Sequence, residues 1–157
     1  AMNIFENLTV PEFSAMRETI IKMVLATDMK KHFKYLAKFR ARCEADDYDP
    51  QGKDKSSALS FILHCADISN PTKPWHLCFE WSQRVLLEFF LQGDIERDNG
   101  LPISQLCDRN TVIIPKSQVG FIDFIITPTF EALKLMVPDI SETLLKNLKA
   151  NREKWND

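Results

Sequence analysis

Apolar residues recur at spacings of three and four along most of this chain, the period of helices that bury one face. Phe13, Met16, Ile20, Met23 and Val24 form one such stripe, expected to be buried. Thr9 is placed to cap that helix and Pro11 to open it, with an end near Ala26. Thr27 and Asp28 stand as caps for a second helix, Met29 to Cys43, with Phe33, Leu36, Ala37 and Phe39 on or near its inner face. Glu44 to Asp54, rich in Asp and holding Pro50 and Gly52, reads as a loop, and Asp54 as the N-cap of a helix over Lys55–Ala66. Pro74 opens a longer helix to about Leu91, ended by Gly93. Its aromatics Trp75, Phe79, Trp81, Phe89 and Phe90 spread around the axis, which predicts burial over much of the circumference. After Gly100-Leu-Pro102 a short helical turn is expected around Ser104–Leu106. Lys116 to Phe124 resumes helix, and Pro128 should kink or break it. Ser141 would cap a last amphipathic helix through Trp155, with Leu144, Leu145 and Leu148 inward.

Few alternating β-branched runs argue for a sheet, and both flanks of the 44–54 loop continue the same helical pattern. The expectation is one all-α domain over residues 1–157. That length can bury roughly two-thirds of its unfolded surface. A net charge of −2 with both signs interspersed gives no pull toward nucleic acid or an anionic membrane. No apolar run approaches the ~20 residues of a spanning helix. Cys43, Cys65, Cys78 and Cys107 make no CxxC pair, so they read as reduced thiols of a cytoplasmic protein. Ala1-Met2 resembles a cloning remnant ahead of a native start near Asn3.

Chemistry concentrates in Ala58–Trp75. An apolar run ends on Asp67, then Ile68, Ser69 and Asn70 lead into Pro71 and Pro74. A carboxylate among apolar neighbours caps a helix, pairs with a cation or binds a metal. None of His32, His64 and His76 forms an i, i+4 metal pair, and there is no glycine-rich phosphate loop or local signature of a nucleophilic triad. The residues alone stop there.

His64-Cys-Ala-Asp-Ile-Ser-Asn-Pro-Thr-Lys-Pro-Trp75 resembles the block around the late metal-binding aspartate of the class I cyclic nucleotide phosphodiesterases. Leu25-Ala-Thr-Asp-Met29 with His32 precedes it. Glu88–Asp94, Leu106-Cys-Asp-Arg109 and Lys116–Asp123 follow in the family's order. The resemblance implies the helical fold of that family's catalytic domain. It also implies hydrolysis of cAMP or cGMP to the 5′-nucleotide, with two divalent metals, zinc and magnesium, generating the nucleophile. Asp67 matches the last metal ligand. Gln118 matches the purine-reading glutamine, Phe121 the aromatic that stacks on the base, and Val85 the apolar residue opposite. Phe89 extends that wall, and Asn70 matches a second hydrogen-bonding position. Ser117, Leu106, Cys78, Trp81 and Met29 would line the pocket more peripherally, and Thr27 and Asp28 would sit near the metal-bound waters.

The departure from the family matters equally. The HNxxH block and the later His-Asp pair are not in this sequence, which holds no His-Asp dipeptide and no HxxxH. The resemblance therefore covers the C-terminal half of a catalytic domain. It implies an inactive chain with no catalytic residue beyond Asp67, no tight metal binding, and a missing N-terminal half as partner. Two other functions stay open. One is a helical interaction module that pairs as a homodimer through uncovered apolar faces; the other is a nucleotide-binding remnant that holds a purine without hydrolysis.

Overall fold

The computed structural model describes residues 3–156, and among these there are helices, turns and loops but no strand. The all-α expectation holds. Ala1 and Met2, the supposed cloning remnant, lie outside the described residues. The chain separates into two compact units, Ala1–Asp67 and Ile68–Asp157.

The first unit holds α1 (Val10–Leu25), α2 (His32–Cys43) and α3 (Lys55–Asp67). Thr9 caps α1 as expected, joined by Glu12, for which no role was expected: the Thr9 N–H and hydroxyl both donate to the Glu12 carboxylate, at 2.8 and 2.7 Å. The α1 stripe, however, is not buried. Val24 is 56% exposed and no α1 residue is buried; within this unit the helix packs chiefly against α3, with Phe5 against Phe13 at its start. Between α1 and α2 runs a 3-10 turn, Met29–Lys31, capped by Asp28, whose carboxylate accepts the Lys30 N–H at 3.0 Å. Thr27 caps nothing ahead of it; its hydroxyl donates back to the Val24 carbonyl at 2.8 Å. Phe33, expected inward, is 65% exposed, whereas Phe39 stacks on Phe61 with ring centroids 3.7 Å apart. The 44–54 loop folds onto Arg42, which donates to both oxygens of Asp54 at 2.7 and 2.9 Å and to Asp47.

His32 and His64 meet inside this unit. His32 Nδ1 lies 2.9 Å from His64 Nε2, and both rings are buried. One imidazole N–H must donate to the other's bare nitrogen, so at least one ring is neutral. Burial pushes both pKa values down. The neighbouring His64 adds to the effect on His32, and Asp67 opposes it on His64. A base whose folded pKa is depressed contributes stability that is complete above the unfolded value, about 6.5, and is lost as pH falls through the folded one. The thermal midpoint is therefore expected to fall on acidification from pH 7 to 5. His64→Gln, which keeps a polar group but cannot titrate, should flatten that slope. Equal slopes in the two proteins would remove the pair from the acid response.

The second unit holds α4 (Trp75–Asp98), α5 (Ile114–Phe121), α6 (Thr127–Met136) and α7 (Leu144–Asn156). A 3-10 turn, Asn70–Thr72, leads into α4. Ile122, Ile126, Phe130 and Leu148 fill its core, and Trp155 joins Trp75 and Phe79 in an aromatic cluster with centroids 5.1 to 5.7 Å apart. Three expectations change here. Gly93 does not end α4 but lies within it, because Cys107 packs where a side chain would stand. Only one stripe of α4 is buried, Cys78, Ser82, Leu86 and Gly93, while Phe79 and Trp81 are about half exposed. At Ser104–Leu106 the chain makes a hydrogen-bonded turn, with Cys107 N–H donating to the Ser104 carbonyl and Leu106 at φ 67°, which no helix allows.

Just before Pro128 the α-helical hydrogen-bond pattern is broken, as expected, although the chain stays helical through the break. Residues Ile122–Ile126 widen into a π-turn, and Thr127 N–H reaches back five residues to the Ile122 carbonyl. The proline then sits in the first turn of α6, the position proline favours. Ser141 does not cap α7. It ends a 3-10 turn, Pro138–Ser141, and its hydroxyl donates back to the Pro138 carbonyl, so α7 starts at Leu144.

Candidate functional site

Within the second unit a cavity of about 120 Å³ opens between α4, α5 and the two segments that flank them. Helical spacing on α4 brings Cys78, Ser82, Val85, Leu86 and Phe89 to one side of it. From α5 come Ser117, Gln118 and Phe121, with Gln118 and Phe121 three residues apart on one helix face. Asn70 and Pro71 enter from the 3-10 turn and Leu106 from the 101–113 loop. Eight of the expected pocket residues, Asn70, Cys78, Val85, Phe89, Leu106, Ser117, Gln118 and Phe121, thus line one cavity. Trp81 does not. Its ring faces outward, with the Arg84 guanidinium 5.5 Å above it.

Pro71, Ser82 and Leu86 were missed. The last two follow Cys78 by one and two helical turns, so spacing from Cys78 would have found them. The lining is mostly apolar, with the Gln118 and Asn70 amides and the Ser117 and Ser82 hydroxyls as polar groups. Both hydroxyls are taken: Ser117 donates to the Ile114 carbonyl at 2.8 Å and Ser82 to Phe79 at 2.7 Å. The amides are therefore the side-chain groups left to donate to a ligand edge, and they can accept as well. Burial pushes the Cys78 thiol up, so it stays protonated and acts as a small apolar wall.

The loop that supplies Leu106 is tied to α4 at three points. Glu96 accepts from the Ser104 N–H and hydroxyl at 2.6 and 2.7 Å, Arg97 donates to Asp108 at 3.0 Å, and Arg109 pairs with Asp94. The Arg109 guanidinium holds the Asp94 carboxyl below the usual carboxylate range.

Met29, Thr27, Asp28 and Asp67 belong to the first unit. Asp67 is the last residue of α3 and is exposed rather than sheltered. Among the described residues no three His, Cys, Asp or Glu side chains gather into a group that could hold a metal ion. A larger hollow in that unit, about 630 Å³, is edged by Lys22, Lys31, Lys38, Arg42 and Lys53, and none of the predicted site residues lines it. No helix among the described residues is long and apolar enough to cross a membrane.

The pocket residues and the order of their motifs agree with one family. Residues 1–148 match the 3′5′-cyclic nucleotide phosphodiesterase family, and the chain belongs to it. The dual specificity calcium/calmodulin-dependent 3′,5′-cyclic nucleotide phosphodiesterase 1B of Mus musculus is 48% identical over 132 residues, 84% of this chain and 24% of the relative. The 3′,5′-cyclic-AMP phosphodiesterase 4C of Rattus norvegicus is 42% identical over 158 aligned positions, 96% of this chain and 30% of the relative. The structure of LmjPDEB1 in complex with IBMX superposes with a TM-score of 0.89 at 27% identity, over 97% of this chain and 46% of that one. The chain thus spans about a quarter to a third of the length of these curated relatives.

Proposed function

We propose that this chain is the C-terminal part of the catalytic domain of a cytoplasmic enzyme that hydrolyses cAMP, cGMP or both to the 5′-nucleotide, and that its own share of the work is to hold the purine. The observation that carries this reading is the joining of Gln118, Phe121, Val85 and Asn70 in one mostly apolar cavity of a family member. At about 120 Å³ the cavity is smaller than the usual site for a whole drug-sized ligand, which suits one flat ring system with sugar and phosphate outside. In this reading Phe121 and Val85 take the two faces of the base, and Phe89 continues the Val85 side. The Gln118 amide donates and accepts along the purine edge, and Asn70 adds a second hydrogen bond.

The zinc and magnesium ions implied by the family find one carboxylate here, Asp67. A catalytic zinc needs about three protein ligands, and the described residues gather no such group. The test is titration of the full chain with AMP in the presence of a chelator. Saturable binding is expected, weakened about tenfold by Gln118→Ala through loss of a ligand hydrogen bond. Phe121→Ala should cost a similar factor through lost stacking. No saturable AMP binding by the parent chain would overturn the reading.

A further inference from the structure

Helix α7 contributes no residue to the cavity, yet its side chains bond to two stretches that adjoin lining residues, the Pro71–Lys73 carbonyls beside Asn70 and the π-turn beyond Phe121. On one side, the Asn151 amide donates to the carbonyls of Pro71 and Lys73 at 2.8 and 2.7 Å. One turn earlier, Asn147 donates to the Thr72 carbonyl at 3.1 Å. Three successive carbonyls, directly after Asn70, are thus claimed by a single helix. Asn151 is only 2% exposed, so water does not compete for its bonds.

On the other side, Arg152 makes two parallel bonds to Asp123, from Nε at 2.6 Å and from the second guanidinium nitrogen at 2.7 Å. Asp123 lies in the π-turn, two residues beyond Phe121 and five beyond Gln118. Consecutive helical residues point about 100° apart, so Asn151 and Arg152 reach different neighbours from one point on α7. The π-turn is where the register of α5 against α6 is set, and a small rotation there would swing Gln118 and Phe121 together. A bidentate pair resists that rotation because it fixes the orientation of the carboxylate as well as its distance.

We propose that α7 is a strap setting the gap between the Asn70 turn and the Gln118–Phe121 face, with Asn151 and Arg152 as positioning residues for the purine. This rests on the cavity being a purine site.

The experiment is AMP titration of the full chain, parent against Arg152→Gln, Arg152→Lys and Asn151→Asp, together with amide hydrogen exchange over residues 114–121. Arg152→Gln is expected to weaken AMP about fivefold, because the pair is partly exposed. Arg152→Lys, which restores the charge but not the fork, should recover part of that loss. Asn151→Asp keeps the shape but turns two donors into acceptors facing carbonyls, and should cost about tenfold or more. If it does not fold, Arg152→Gln decides. A purely structural role would lower the thermal midpoint and leave affinity within about twofold, which overturns the proposal. If the parent binds no AMP, the purine reading fails and exchange alone judges the strap. Exchange at 114–121 about tenfold faster in Arg152→Gln supports it, and equal exchange overturns it.

Discussion

Gly93→Ala is expected to lower the thermal midpoint by about 10 °C, corresponding to a loss of about 3 kcal/mol in a chain of this size. The sign is the informative part. In an open helix this change should stabilise by ~1 kcal/mol, since alanine is the better helix former. Here the added Cβ would stand 2.0 Å from the Cys107 carbonyl oxygen and 2.7 Å from its carbon, far inside contact distance. Both are backbone atoms, so no rotamer change relieves the clash and the whole loop must retreat. That loop is bound to the turns of α4 around Gly93, through Asp94 to Arg109, Glu96 to Ser104 and Arg97 to Asp108. Leu106, one residue before the contact, already holds a left-handed backbone that a leucine adopts only under constraint. A retreat would carry Leu106 out of the cavity wall, so AMP binding should weaken along with stability. Differential scanning calorimetry reads the first effect and titration the second. A midpoint within about 2 °C of the parent would show that α4 and the loop have slack at this crossing.

Gly93 also shows where local sequence stops being informative. A glycine late in a helical pattern reads as a stop, because that is what glycine does when nothing is packed on it. Its partner here is Cys107, fourteen residues on, and no window around Gly93 contains that fact. Periodicity found α1 to α5 and α7 because amphipathic spacing is local, but no helix was read over Thr127–Met136, where α6 stands. It erred where a neighbour decides the outcome, as with the supposedly buried α1 stripe, the outward Phe33 and Trp81, and the Ser141 cap that the turn before α7 absorbs. Pro128 is a subtler case. The missing N–H was legible, but whether the chain would bend or absorb the irregularity as a π-turn was not. The cavity residues were legible through family motifs rather than physics, since Phe121, Val85 and Phe89 alone read as ordinary core. The Glu88–Asp94 and Leu106–Arg109 blocks acquire a physical meaning only in three dimensions, where much of each is spent on joining the Leu106 loop to α4.

With zinc and magnesium supplied, the chain by itself is expected to hydrolyse neither cAMP nor cGMP above a protein-free blank. Relative to a complete enzyme that is a loss of about 10⁶-fold or more, the low end of what enzymes add to an uncatalysed rate. The reason is donor count. Two-metal phosphoryl chemistry needs both cations fixed against the phosphate and the attacking water, which requires several converging ligands. Asp67 is one exposed carboxylate at a helix end, and His64, three residues before it, is turned to His32 with Nε2. A single carboxylate competes poorly with water for a divalent cation. The cavity proposed for the purine contains none of the metal-ligand candidates, so AMP binding and absent turnover are expected in the same sample. Adding a polypeptide that carries the family's HNxxH block and His-Asp pair should restore turnover, and Asp67→Ala should abolish it again while AMP binding stays. Turnover by the chain alone that survives both chelation and Asp67→Ala would mean that hydrolysis here runs through groups other than the family's metal ligands.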